Sequence, residues 1–248
     1  MVLLEYQEPN NRRFHCGGFL ISNRYVLTAA HCLLDIPPEW KLINVRLGEH
    51  NLKTTRDCVN ETPGFEDCND EPLDITIEGQ IPHELYIPRS VNRHYDIALL
   101  RLSKTVEFTN FIKPLCLPLS QRLRNKDYNG RELTVAGWGR TETQRQSDIK
   151  LRVDVPVLSE TNCLQFYKEQ GITLLSSQVC AGGVKGKDSC VGDSGGPLMV
   201  VDRTAEEENY IAYAMVSFGP RFCGTDNFPA VYTRLRDYID WIRDHLKP

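Results

Sequence analysis

Short apolar runs alternate with polar, turn-forming clusters along most of the chain. Val, Ile, Leu, Thr and Tyr gather at residues 25–29, 43–47, 133–137 and 210–217, and Gly, Pro, Asn and Asp separate such runs. This punctuation predicts an all-β protein. Residues 1–6 also read as a strand, because they carry neither the basic flank nor the long apolar core of a secretory leader. The period changes near the C-terminal end. Leu235, Tyr238, Ile239, Ile242 and Leu246 recur at intervals of three and four, which predicts a helix with one apolar face against the β core. Two polar stretches, 51–78 and 140–148, read as surface loops, and no internal repeat interrupts the pattern.

A length of 248 residues suits one β unit or two closely packed ones. With 33 acidic and 29 basic side chains the net charge is −4, too small and too mixed for electrostatic capture of nucleic acid or an anionic membrane. No apolar run approaches the roughly 18 residues that span a bilayer. Nine cysteines point to an oxidising, extracellular setting, since reducing compartments do not preserve disulfides. They are widely spread, with no pair separated by only two residues, which argues against zinc. The odd count leaves at least one thiol without a partner inside the chain.

Hydrolysis through a nucleophile needs a hydroxyl, a base to take its proton, an acid to hold that base, and donors for the oxyanion. Three segments supply them. Ser194 precedes Gly195-Gly196-Pro197 and follows Gly192-Asp193, a turn that lets a carbonyl approach backbone N–H groups. His31 follows the apolar Leu27-Thr28-Ala29-Ala30 and precedes Cys32. Asp96 precedes the apolar run 97–102, where an ionised carboxylate needs a partner.

Together, Thr28-Ala29-Ala30-His31-Cys32, Asp96-Ile97-Ala98-Leu99-Leu100 and Gly192-Asp193-Ser194-Gly195-Gly196-Pro197 resemble the chymotrypsin-type, trypsin-like serine proteases. The order His, Asp, Ser matches. The resemblance runs from Cys16-Gly17-Gly18 through Ala136-Gly137-Trp138-Gly139 to Val231-Tyr232-Thr233 and the terminal helix. It implies one catalytic domain over 1–248, built as two six-stranded antiparallel β-barrels, roughly 1–115 and 116–248, with the catalytic cleft between them. It also implies Ser194 as nucleophile, His31 as general base and then acid, Asp96 as the carboxylate that fixes the imidazole, and the N–H groups of Gly192 and Ser194 as oxyanion hole. Asp188 would floor a pocket for Arg or Lys beside Ser189, and Ser217-Phe218-Gly219 would pair with the substrate backbone. Phe218 stands where many relatives have Trp, and Ala230 where they commonly have Gly. The extra methyl leads to an expected preference for Arg over Lys, with lower turnover.

The same likeness pairs Cys16 with Cys32, Cys163 with Cys180 and Cys190 with Cys223. Cys58 and Cys68 resemble the additional loop disulfide of arthropod clip-domain proteases, which act in haemolymph cascades, including innate immunity. Cys116 is then left to join an N-terminal pro-region. Serpin-type inhibitors and protein substrates follow as expected partners. Leu47-Gly48-Glu49-His50-Asn51 resembles a calcium loop, with Glu49, carbonyls near Asn51 and Thr54, and Asp57 or Glu61 as ligands. Asn60-Glu61-Thr62 is a glycosylation sequon. In the family, activation cleavage frees an ammonium group that pairs with the aspartate before the nucleophile, here Asp193. The sequence starts downstream of that point, so the chain as written is expected to be inactive. The alternative from another class is a non-catalytic homologue that binds cascade members. A lipase or esterase is disfavoured by the order of the three residues and the missing Gly-x-Ser-x-Gly elbow.

Overall fold

The computed structural model describes all residues except 63, 64, 142, 204–207, 221 and 248, with backbone only at 59–62 and 65–67. The first half contains β1 (Val2–Gln7), β2 (Arg12–Leu20), β3 (Tyr25–Thr28), β4 (Lys41–Leu47), a hairpin of β5 (Cys58–Thr62) and β6 (Phe65–Cys68), β7 (Leu73–Pro82) and β8 (Ala98–Leu102). Six of these strands close a barrel in the order β1-β2-β3-β8-β7-β4, every pair antiparallel. The second half supplies β9 (Glu132–Gly137), β10 (Leu151–Pro156), β11 (Gln178–Gly182), β12 (Pro197–Arg203), β13 (Glu208–Phe218) and β14 (Pro229–Arg234). They form a second antiparallel sheet of six strands, ordered β10-β9-β12-β13-β14-β11. The expected all-β architecture is therefore present.

Three local expectations change. Within 51–78, read as loop, β7 begins at Leu73: Ile75 is buried while Asp74 and Thr76 are exposed, so a two-residue alternation lay inside an acid-rich stretch. The terminal helix is divided. Leu235–Tyr238 is a 3₁₀ turn, and the α-helix covers only Ile239–His245, with Leu246 partly exposed. Its buried face (Leu235, Tyr238, Ile239, Ile242) packs into the core of the first barrel. Finally, an α-helix at Glu160–Glu169 was not anticipated. Ser159 caps it by accepting from Asn162 N at 3.3 Å, Glu160 complements the dipole, and Cys163 and Tyr167, four apart, are buried.

Four disulfides join Cys16–Cys32, Cys58–Cys68, Cys163–Cys180 and Cys190–Cys223. Cys116 is unpaired and exposed. Its backbone is held on β13, donating to Tyr210 O at 3.2 Å and accepting from Ala212 N at 2.8 Å, so the connection between the two halves is fixed in place.

Candidate active site

Strand register brings the first two site residues together. In the β3–β8 pair Thr28 lies opposite Ala98, so His31, three residues beyond Thr28, and Asp96, two before Ala98, emerge at the same end. His31 opens a one-turn helix, His31–Leu34, rather than ending a strand. Asp96 is fully buried. His31 Nδ1 lies 2.8 Å from Asp96 Oδ2, and the His31 backbone N–H donates to Oδ1 at 2.9 Å. Ser217 Oγ donates to Oδ2 at 2.5 Å, and Thr233 Oγ1 donates to the Asp96 carbonyl at 2.9 Å. Burial alone would raise the Asp96 pKa. The His31 charge and these hydrogen bonds outweigh it, holding the carboxyl below the usual range. When the imidazole is neutral, an ionised Asp96 selects the tautomer with Nδ1 protonated, which puts the lone pair on Nε2, 3.7 Å from Cys32 Sγ.

Ser194 enters from the second sheet, in the turn before β12. Gly17 N donates to its carbonyl at 2.8 Å, and Thr28 Oγ1 supports the Gly17 carbonyl at 2.8 Å. Gly195, at φ +78°, could not carry a side chain: a Cβ would overlap Gly17 O and Thr28 Oγ1. The turn thus docks against β2 and β3, beside the Cys16–Cys32 disulfide, with Cys32 Sγ 3.9 Å from the Ser194 carbonyl. Asp193 N and Gly195 N are engaged by the carbonyls of Cys190 and Val216, at 2.9 Å each. Among the described residues, the N–H groups of Gly192 and Ser194 meet no protein acceptor.

Two further carboxylates face one cavity of about 430 Å³, lined among others by Gly139, Arg140, Asp188, Asp193 and Phe222. Asp193 is buried and accepts from Gly139 N at 2.8 Å and Cys190 N at 2.9 Å. Desolvation raises it to about 6 in spite of these bonds. Asp188 accepts from Gly224 N at 3.1 Å through Oδ2, while its buried Oδ1 has no hydrogen-bond partner among the described residues. Desolvation, the largest effect, also brings it to about 6. Ser189, expected to face a ligand, bonds Tyr232 OH at 3.0 Å and is buried. Ala230 is buried under Gly219, where an added Cβ would lie 3.0 Å from its methyl group.

Ser217 falls at the irregularity between Val216 and Phe218, where β13 slips against β14. Its carbonyl accepts from Arg93 Nη1 at 2.9 Å. Sequence reasoning missed Arg93: nothing in the local sequence links position 93 to position 217.

The loop after β4 gathers Glu49, Asn51, Thr54 and Asp57. Glu49 is buried; its Oε1 accepts from His50 N at 2.9 Å and its Oε2 lies 3.4 Å from Arg46 Nη1. Asp57 accepts from Asn51 N at 3.1 Å and Thr54 Oγ1 at 2.5 Å. The half-buried Lys150 ammonium stands in the field of both carboxylates. These residues offer oxygen donors suited to calcium, but with two cations already beside them. The side chains of Glu61 and the sequon residue Asn60 lie outside the described residues.

A family model described as Trypsin matches residues 1–242. The chain is 46% identical over 248 residues to Melanization protease 1 of Drosophila melanogaster, covering all of this chain and 62% of that protein. It is 44% identical over 249 residues to the CLIP domain-containing serine protease HP8 of Bombyx mori, covering all of this chain and 66% of that one. The crystal structure of the Drosophila Grass clip serine protease of the Toll pathway superposes with a TM-score of 0.84 at 38% identity, over 98% of this chain and 67% of that chain. The chain thus spans just under two thirds of the length of these curated relatives.

Proposed function

The chain belongs to the trypsin family of serine proteases, and from that premise we propose that it is an endopeptidase that cleaves after Arg, or less readily Lys, in an extracellular proteolytic cascade. The observation that carries this reading is the buried His31–Asp96 pair, with the carboxylate 2.8 Å from Nδ1 and held below its usual range. In the proposed cycle Ser194 Oγ bonds the scissile carbonyl carbon as Nε2 takes its proton. The carbonyl electron pair moves onto oxygen, which accepts from the N–H groups of Gly192 and Ser194. Collapse of the tetrahedral adduct expels the amine, which takes the proton from Nε2. Water then repeats the sequence, releasing the acid and restoring Ser194.

Asp188, with a buried unpartnered oxygen among the described residues, is the proposed site for the substrate cation. The proposed preference for Arg over Lys rests on Ala230 standing where relatives commonly have glycine; its methyl is buried beneath Gly219. Asp193 is the proposed activation switch: a buried carboxylate raised to about 6 is stabilised once an ammonium group freed by cleavage pairs with it. Four disulfides support secretion. Exposed Cys116 is proposed to link to a pro-region, Asn60 to carry a glycan, and serpins to act as inhibitors. Profiling the activated full-length protein on a peptide library tests the core reading. Cleavage confined to Arg and Lys bonds is expected; equal cleavage after Phe or Leu, or none at all, would sink it.

Calcium at Glu49 and Asp57 is proposed as an accessory ligand that competes with Lys150. Binding is expected near the weak, millimolar end of the extracellular range. Lys150→Gln removes the competing charge. Titration calorimetry should then give at least a several-fold tighter calcium Kd, and identical isotherms for the two proteins would refute the competition.

A further inference from the structure

Asp96 lies in a strained connection, and its carboxylate cannot fix its own place. Tyr95, just before it, adopts φ +59°, and Ile97 N donates to the Tyr95 carbonyl at 2.8 Å, which makes Asp96 the centre of a three-residue turn. Two of the three hydrogen bonds on the carboxylate come from His31 itself. They cannot decide where it holds that imidazole; the backbone on either side must.

His83 holds that backbone on both sides. Its N–H donates to the Ile97 carbonyl at 3.0 Å, and its ring stacks on Tyr95 with centroids 4.9 Å apart and planes at 26°. Tyr86 N donates to the His83 carbonyl at 3.0 Å and Leu85 N to its Nδ1 at 3.2 Å, so main chain and ring are both fixed. Burial lowers the His83 pKa and keeps the imidazole neutral at pH 7. The same ring stacks on Trp241 of the terminal helix at 5.1 Å and 21°, and meets Tyr238 edge-on at 5.7 Å. Trp241 is fixed in turn. Its Nε1 donates to Glu84 Oε2 at 3.0 Å, Glu84 Oε1 lies 2.8 Å from His245 Nε2, and His245 Nδ1 lies 2.8 Å from the Trp241 carbonyl. A closed circuit of contacts therefore ties the terminal helix to the residues flanking Asp96.

We propose that Trp241 is a positioning residue for the Ser194 reaction: through His83 and Tyr95 it holds Asp96 where His31 requires it. This inference rests on the proposed hydrolysis after arginine. Removing the indole takes away one of the two rings that hold His83, and a shift of about 1 Å in a positioned group can cost on the order of 10²-fold, even when the change lies far from the chemistry. Asp188 has no part in this chain of contacts, so affinity for the substrate cation should be spared.

The test assays the activated full-length protein on an arginyl amide, with kcat counted per titrated active site so that unfolded molecules drop out. Trp241→Leu is expected to lower kcat by about ten-fold or more, with KM within about two-fold of wild type. A displaced Asp96 stabilises the imidazolium less, so the acid limb of the kcat/KM profile should move to lower pH by about half a unit. Trp241→Phe, which keeps a ring against His83, should restore most of both. Glu84→Ala, which leaves the indole but removes its acceptor, should fall between. Wild-type kcat per active site in Trp241→Leu would overturn the inference, and so would a fall in kcat that leaves the acid limb in place or that phenylalanine does not rescue. Absence of arginine cleavage in wild type would overturn the reading beneath it as well.

Discussion

Replacing Ser194 with alanine is expected to lower kcat on an arginyl peptide by roughly a million-fold, the scale seen when a serine nucleophile is removed from a unit of this type. The residual rate would come from oxyanion donors and binding alone. Asp96→Asn should cost less, about 10⁴-fold, for a different reason. Asp96 accepts from His31 Nδ1, His31 N and Ser217 Oγ at once. An amide at that place offers an N–H toward Nδ1, reverses the imidazole tautomer and protonates Nε2 when it should be basic. The double variant should be no slower than Ser194→Ala, because the residues act as one unit. Burst-phase titration and steady-state kinetics check both. Retention of even a hundredth of wild-type kcat in Ser194→Ala would remove that residue from the nucleophile's role, and additive losses in the double variant would show that the two act independently.

Asp188→Ser is expected to reduce kcat/KM on Arg and Lys substrates by about 10⁴–10⁵-fold, since a site built around a buried charge rejects a ligand it can no longer pair. The same carboxylate gives a pH signature. Its folded pKa, about 6, stands above the usual 3.8, so the empty protein favours the protonated acid. Its contribution to stability is greatest below about 4 and is lost as pH rises through about 6. A guanidinium ligand needs the ionised form, so binding should release a proton below pH 6, and affinity should fall towards ten-fold per pH unit there. Equilibrium binding of a small amidine inhibitor is the cleaner measurement, because a protonated His31 would stop turnover without touching the pocket. Calorimetry in buffers of different ionisation heat counts the protons directly. A flat affinity from pH 5 to 8 would remove Asp188 from the cation site.

Much of this site is legible in the bare sequence, for a physical reason. His31, Asp96 and Ser194 each sit in short contiguous segments, a histidine after an apolar run, a carboxylate before one and a serine before two glycines, and the three segments together carry the family resemblance. Strands β1, β3, β4, β9 and β13 can also be read, because apolar and β-branched residues cluster in them. β7 escapes because acidic residues on its outer face mask the alternation of its inner one. The helix at Glu160–Glu169 escapes although its serine cap is visible, because its apolar face is narrow. Arg93 is beyond reach in principle: its contact spans 124 residues and depends on two left-handed loop residues. The shared cavity of Asp188 and Asp193 likewise exists only in the assembled second half.

The seating of the terminal helix in the first barrel sets an order of events during synthesis. Leu235, Tyr238, Ile239 and Ile242 complete a core otherwise made largely of residues before 113, and Tyr25 OH closes the circuit with the backbone of Lys247, 222 residues away. Until residues 235–247 have been made, residues 2–112 are left with an open apolar seam. Such long-range closure slows folding and prolongs exposure to aggregation. Removing residues 235–246 should therefore destabilise the first barrel, although every strand of that barrel lies before residue 103.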